Sequence, residues 1–444
     1  MHSETVTIKK IVAGGFGLGH LPSTQVVMVQ FGLPGESVIL TTQEYKKNYL
    51  LGKVQQIENK HPSRITPPCQ YYGICGGCNL QHCDYDAQIN FKKKILIDLL
   101  MREKVLTQQE IDEKVTNVIG SPHPFHYRQR IRLQIEGDDK LGFNRFRSHE
   151  IVEIDQCLLA QPSINLALAA LRETEGIHSL LDLSRELELQ QNPVTDKISC
   201  LFHFSRKPRP TDIKTATKIC ADSKTIDRIF FTGDDFPIVG PVGCTNESTS
   251  NLLTLHYPEV NGLHVPLELS WEVGGFCQVN LEQNKTMLET VLQFCQVQTT
   301  DSVLDLYCGM GNFAIATGTL AKSVLGIEGQ GSSIRCAKRN ASLAHINNTN
   351  FIKQPVHKAC DQLIKNGETF DCIIIDPPRQ GAPELASQLS QLCTKRLVYI
   401  SCDPATLCRD LNSLTRKGFS ITKIQPIDMF PQTHHIETVV LLEK

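Results

Sequence analysis

The sequence predicts an α/β protein in three parts: a small N-terminal β-barrel, a mixed α+β middle and a C-terminal doubly wound sheet. Three observations predict it. From residue 266 onward, SVLDLYCG, SVLGIEG, DCIIIDPP and RLVYISC are continuous apolar runs that end in glycine or polar residues, with helix-like stretches such as GSSIRCAKRNASLAHIN between them. That alternation marks parallel strands buried on both faces. Near the N-terminus, GGFGLGHL, TQVVMVQF, LPGESVIL and YLLGKVQQIE are short strand-like runs cut by Gly and Pro-Gly, which favours a small barrel. At 444 residues the chain is also too long for one core. The expected boundaries are 1–62, 63–265 and 266–444.

Apolar residues at 41% and charged residues at 21% fit a soluble globular protein. No run of eighteen apolar residues occurs, and MHSETVTIKKIVAGG lacks the apolar core of a secretory signal. A cytoplasmic protein without a membrane segment is therefore expected. In a reducing compartment, the 17 cysteines read as buried thiols, metal ligands or nucleophiles rather than disulfides. The net charge of −2 does not point to nucleic acid by itself. The charge is uneven, however. Residues 1–68 carry Lys9, Lys10, Lys46, Lys47, Lys53, Lys60 and Arg64 against Glu4, Glu36, Glu44 and Glu58, seven minus four, or +3.

In the middle part, a Pro-rich stretch leads to Cys69, Cys75 and Cys78, spaced C-x5-C-G-G-C. Paired glycines let the backbone wrap closely around an inorganic centre, and a fourth thiolate is needed. Thiolate sites hold iron–sulfur clusters or zinc. With a single C-x2-C pair, the unequal spacing favours a cubane over a zinc ribbon, and Cys83 is the nearest further thiol. DAQINFKKKILIDLLMREK has helical spacing. YRQRIRLQIEGDDKLGFNRFRS reads as a hairpin with EGDDK near its turn, and PSINLALAALRETEGIHSLL as another helix. In the hairpin, Arg128, Arg130 and Arg132 alternate, and a period of two puts all three on one strand face.

The C-terminal part carries the chemistry. VLDLYCGMGNFA is a strand, a glycine turn and a helix start, in which Gly309 and Gly311 allow a tight turn and close approach to a ligand. The stretch also fits the loose G-x-G-x-x-A dinucleotide pattern. Asp305 stands four residues before Gly309, where a carboxylate would oppose a dinucleotide's phosphates. It suits a cationic, phosphate-free ligand such as S-adenosylmethionine. Glu328 ends the next strand, seventeen residues after Gly311, where an acid can accept ribose hydroxyls. In IIIDPPRQG, two prolines fix the backbone after Asp376. In SCDPATLCRD, Cys402 ends the following strand and faces the same crevice. Uracil C5 is a poor nucleophile. Thiolate addition at C6 makes C5 enolate-like, and a base must then remove the C5 proton so that the thiol can leave. HHIETVVLLEK supplies a carboxylate, Glu437.

Taken together, SCDPATLCRD, DPPRQG, LDLYCGMGNF and HHIETVVLL strongly resemble the RNA 5-methyluridine methyltransferase family, whose catalytic part is a Rossmann-like class I methyltransferase domain. The resemblance implies Cys402 as nucleophile and Glu437 as base. It implies an S-adenosylmethionine site lined by Gln278 (in GFCQVN), Tyr307, Asn312, Glu328 and Asp376. Where the family usually places an Asp or Asn against the adenine, this chain has Pro355, which has no side-chain donor or acceptor. Cys408, on the following helix, is taken as structural.

The cysteine segment resembles that of the [4Fe-4S]-bearing branch, in which EIVEIDQC makes Cys157 the fourth ligand beside Cys69, Cys75 and Cys78; Cys83 has no counterpart there. The first sixty residues, through GFGLGHL, LPGESV and KKNYLLGKV, resemble a TRAM domain, an OB-like RNA-binding barrel. The likeness covers nearly the whole chain and is weakest across residues 165–260. It implies methylation of a uridine in 23S rRNA, with tRNA the alternative. Arg128, Arg130 and Arg132 would then meet RNA phosphates and flipped bases, and the target uridine would leave its stack. No protein partner is implied and a monomer is expected. A radical S-adenosylmethionine enzyme would need C-x3-C-x2-C with one iron left open. A non-catalytic RNA-binding protein would need neither Cys402 nor Glu437. A dinucleotide oxidoreductase leaves DPPRQG and SCDP unexplained.

Overall fold

A computed structural model describes residues 5–137, 140–243 and 250–444. The apolar runs of the C-terminal part form a seven-stranded sheet: β1 (Ser302–Leu306), β2 (Ser323–Glu328), β3 (Thr349–Lys353), β4 (Phe370–Ile375), β5 (Cys393–Ser401), β6 (Ser420–Ile427) and β7 (Glu437–Glu443). The spatial order is β3-β2-β1-β4-β5-β7-β6. Strands β1 to β5 are parallel. The last strand, β7, inserts antiparallel between β5 and β6. Side-chain alternation sorts each strand between two apolar layers. Leu304, Leu306, Ile373, Ile375, Leu397 and Tyr399 face one layer. Val303, Ile374, Val398 and Ile400 face the other. The strand order reverses between the parallel neighbours β1 and β4, which opens a crevice at the carboxyl ends of the strands.

The N-terminal runs form the strands Phe16–His20, Val26–Gln30, Ser37–Tyr45 and Leu50–Ile57. With Thr5–Thr7 and Lys10–Val12 they make a six-stranded sheet around Val6, Ile8, Val27, Val29, Val38 and Leu40. The expected hairpin pairs Arg130–Glu136 with Lys140–Asn144; Asp138 and Asp139 of its turn lie outside the described residues. It belongs to a second seven-stranded sheet that runs on to residue 242. The expected helix from Pro162 breaks into Pro162–Glu173 and Ile177–Leu181 at Gly176, whose φ of +85° is left-handed.

Two segments of the expected middle part bury their apolar faces against the C-terminal sheet. Helix Tyr85–Arg102, capped by Asp84, sets Phe91, Ile95, Leu96 and Leu99 into the same layer as Leu306 and Ile375. The chain beyond it pairs with β6 through the Thr116 and Ile119 N–H groups. The hairpin Leu252–Tyr257 and Leu267–Glu272 docks on helix Gly331–Leu343, whose Asn340 side chain bonds both backbone groups of Ser270. Among the described residues, no helix is long and apolar enough to cross a membrane.

Helix Tyr85–Arg102 also carries Lys92, fully buried against the fully buried Asp428. Lys92 donates to Asp428 and to the Phe430 carbonyl (3.0 Å), and Tyr85 donates to the other Asp428 oxygen (2.9 Å). The pair anchors the segment that leads into β7. Lys92→Met strands a buried carboxylate and is expected to cost about 3–5 kcal/mol. Urea unfolding measures this as a lower midpoint at constant slope. Adding Asp428→Asn is expected to return most of the loss.

Candidate active site

Register brings the candidate residues into one row. Leu306 lies opposite Ile327 on one side and Ile375 on the other, and Ser401 lies opposite Thr438. The residues at these strand ends therefore run Glu328, Tyr307, Asp376, Cys402, Glu437 along the carboxyl edge of the parallel strands. Glu437 joins them because β7 is antiparallel and begins where its neighbours end.

The turn after β1 has left-handed φ at Tyr307 (+61°), Gly309 (+54°) and Gly311 (+91°). A Cβ on Gly309 would meet nothing within 4 Å, so backbone conformation rather than crowding requires glycine there. Glu328 braces this turn: it accepts from the Gly309 N–H (3.3 Å) and the Gln330 N–H (2.7 Å). Beneath the turn, Asp305 is fully buried and neither carboxylate oxygen has a hydrogen bond of good geometry. Burial first, then the nearby Asp376 and Glu328 charges, push its pKa well up, against the opposing effect of the Ala314 N–H. A buried carboxyl without a partner is costly. The unpaired acid beside an open glycine turn fits a cationic nucleoside ligand.

Asn312 exchanges amide hydrogen bonds with Asn284 (3.0 and 3.1 Å), and Asn284 also reaches the Tyr257 hydroxyl. The sequence reading misses Asn284, since one asparagine on an amphipathic helix carries no signal. Gln278 is half-buried, and its carbonyl accepts from the Gln129 side chain (2.8 Å). Pro355 follows β3 and starts helix Val356–Lys365; beside it, the half-buried Gln354 donates its N–H to the Glu328 carbonyl (3.0 Å).

In the other half of the crevice, a rigid turn presents Cys402. Ser401 and Asp403 bond one another, and the Asp403 carboxylate caps the next helix at Ala405 and Thr406 (both 2.9 Å). Burial, then the charges of Glu437 and Asp376, push the Cys402 thiol up to about 12, with Arg379 opposing them. Glu437 is buried. Burial first and Asp376 second hold its carboxyl above the usual carboxylate range, again against Arg379. Burial raises Asp376 likewise. Arg379 stands inside the quoted DPPRQG, yet the sequence reading gives it no role.

Cys69, Cys75, Cys78 and Cys157 line one cavity of about 460 Å³. Burial pushes Cys75 and Cys78 up to about 11 and about 12, and the neighbouring Cys157 adds to both. Asn165 holds the Cys157 backbone at both its N–H and its carbonyl. Cys83 points elsewhere, donating to the Leu80 carbonyl, and Cys408 is buried in the core. Among the described residues, no three His, Cys, Asp or Glu side chains are arranged around a single metal ion.

The arginine row departs from expectation. Arg128 precedes the strand and lies against the Tyr127 and Phe430 rings (5.7 and 5.8 Å). Its charge opposes the upward shift of the Cys78 and Cys157 thiols. Arg130 and Arg132 do share a strand face, and both pair with the buried Glu188 (2.5 and 2.9 Å). Ion pairing within the fold describes these two better than an open RNA-facing row.

The family model for tRNA (uracil-5-)-methyltransferase matches residues 267–444. A Thermotoga maritima protein described as an uncharacterized RNA methyltransferase is 32% identical over 449 residues, covering 99% of both chains. The Photobacterium profundum 23S rRNA (uracil(1939)-C(5))-methyltransferase RlmD is 31% identical, covering 100% of this chain and 94% of that one. The crystal structure of Pyrococcus abyssi tRNA (uracil-54, C5)-methyltransferase with S-adenosyl-L-homocysteine superposes with a TM-score of 0.72 at 24% identity, covering 98% of this chain and 99% of that one. With its strand order and the row of acids and thiol at the crevice, this chain belongs to the RNA (uracil-C5)-methyltransferase family.

Proposed function

We propose that the protein methylates C5 of a uridine in 23S rRNA, through a transient bond between Cys402 Sγ and uracil C6. One observation carries the reading: a thiol on a rigid turn stands between the half-buried Asp376 and the buried Glu437, in the crevice that also holds the fully buried Asp305. S-adenosylmethionine supplies an electrophilic sulfonium methyl when bound. Asp305, Glu328 and Asp376 answer its positive charge and ribose, while Tyr307, Asn312 and Gln278 line its place. Cys402 adds to C6 and raises electron density at C5. Glu437 takes the C5 proton after methylation, and the Cys402–C6 bond then breaks to release 5-methyluridine. Burial shifts Asp305, Asp376 and Glu437 toward the neutral form, so a cation in the crevice favours the carboxylate form that the base needs.

The rRNA assignment rests on the full-length likeness to the RlmD proteins. The four converging cysteines support a [4Fe-4S] cluster on Cys69, Cys75, Cys78 and Cys157, a centre that would lock the surrounding loops together. Residues 1–62 serve as a TRAM-type RNA-binding unit, residues 63–265 carry the cluster and residues 266–444 carry the chemistry. The test maps 5-methyluridine in 23S rRNA and tRNA from cells with and without this protein. One 23S rRNA position is expected to lose its methyl group. Loss confined to tRNA reassigns the substrate, and no loss in either RNA rejects the reading.

A further inference from the structure

A cavity of about 260 Å³ lies between the N-terminal sheet, the cysteine loop and the segment before β7. Distant parts of the chain each contribute flat groups to it: Phe16 from the N-terminal sheet, Phe146 and Arg147 from beyond the hairpin strand, and His434 and His435 from the segment before Glu437. The Phe16 and Phe146 rings meet edge to face at 6.1 Å. The Arg147 guanidinium lies 5.3 Å from the Phe146 ring centre and 5.9 Å from that of Phe16. The two histidine rings lie 4.1 Å apart.

Ordinary packing between parts of the fold does not account for three features. Phe146 keeps 38% of its surface exposed, although an apolar seam would cover it. Among the described residues, Arg147 has no carboxylate within ion-pair distance, whereas Arg145 beside it pairs with Glu150 (2.8 Å). The cavity also reaches His435, two residues from Glu437, a separation of at most about 7 Å of chain. A flat aromatic face beside an uncompensated cation is how proteins hold single-stranded nucleic acid.

The geometry points to a subsite for one unstacked nucleotide of the RNA substrate, a near neighbour of the target uridine, with its base against Phe146 and its phosphate toward Arg147. This rests on the RNA-methylating reading above. It adds that the enzyme grips a flanking base by its face, and so tolerates different bases there while requiring that it be single-stranded.

The test uses an RNA oligonucleotide that the wild-type protein methylates, with 2-aminopurine placed singly at each of the three positions on either side of the target. At one position, binding is expected to quench the fluorescence several-fold. Phe146→Ala and Phe146→Leu abolish that quenching, and Phe146→Trp keeps it; the leucine variant preserves apolar packing without the aromatic face. An abasic residue at the same position weakens wild-type binding about tenfold or more but adds little in Phe146→Leu. Arg147→Ala lowers the slope of log affinity against log salt by about one. S-adenosylmethionine affinity stays unchanged throughout. Quenching that survives Phe146→Leu, quenching at no position, or abasic and Phe146→Leu losses that simply multiply would overturn the subsite. Wild-type protein that methylates no RNA is a different result and defeats the reading beneath it.

Discussion

Cys402→Ala is expected to bind RNA and transfer no methyl group, whereas Glu437→Gln is expected to stop one step later with the RNA still attached. The two failures differ because the proposed mechanism places the residues on opposite sides of methyl transfer. Without the thiol, C5 never gains nucleophilic character, and turnover is expected to fall about a thousandfold or more. In Glu437→Gln the thiol still adds and C5 still accepts the methyl group, but proton removal slows by about 10²–10⁴-fold. Protein then accumulates covalently bound to methylated RNA, visible as a retarded band on a denaturing gel. A 5-fluorouridine substrate traps the wild type in the same way, since fluorine does not leave as the proton does. Protonation matters in one direction. Burial holds Asp376 above the ordinary carboxylate range, and burial with the charge of Asp376 does the same to Glu437; burial and both charges push the Cys402 thiol up to about 12. Each group works in its deprotonated form, so single-turnover rates rise as pH increases from 6 rather than levelling off above 5. A pH–rate profile that is already flat at 6, full activity in Cys402→Ala, or an adduct that survives Cys402→Ala would contradict the mechanism.

The crevice is legible in the sequence because its residues sit at strand ends. Strands buried on both faces read as unbroken apolar runs, and the residue that closes each run faces the ligand. Glu328, Asp376 and Cys402 stand out that way, and Asp305 as a lone charge within such a run. Glu437 shows only as the start of the last run, and its position beside Cys402 follows from β7 being antiparallel, which periodicity does not reveal. The middle sheet is hard to read for another physical reason. Glu188 lies directly opposite Arg132, and its carboxylate is buried by pairing with Arg130 and Arg132. Leu187 and Leu189 face the apolar core, so Glu188 is buried on the opposite face by ion pairing alone, which the apolar alternation does not reveal. Helix Tyr85–Arg102 is recognisable, but its destination is not, because an amphipathic pattern shows which face is buried and not what covers it.

Removing one thiolate of the proposed cluster is expected to have an effect beyond the metal. Anaerobically purified wild-type protein should be brown and contain about four irons per chain, the stoichiometry of a cubane on four thiolates. Cys157→Ser should lose most of that iron and yield less folded protein, since metal-binding energy is also folding energy. The coupling reaches the active site through the residues just after Cys78. The Asn79 and Leu80 N–H groups both donate to the Gln432 carbonyl (3.1 Å each), and Asn79 also bonds His434. Gln432 holds a left-handed φ of +69°; its side-chain oxygen accepts from the Gln88 amide, and its backbone N–H donates to the Gln88 side-chain oxygen. This clamp fixes the strained segment from which Glu437 emerges. Loosening the cysteine loop therefore frees the base while leaving Cys402, on its own capped turn, in place. Cys157→Ser protein that remains folded should still form the thiol adduct but release product slowly, the same signature as Glu437→Gln in weaker form. Iron content, the visible absorption band and the fraction of adduct on a denaturing gel are three separate readouts. Colourless wild-type protein carrying one tight zinc rejects the cluster. Iron loss with an unchanged adduct fraction and rate rejects the coupling alone.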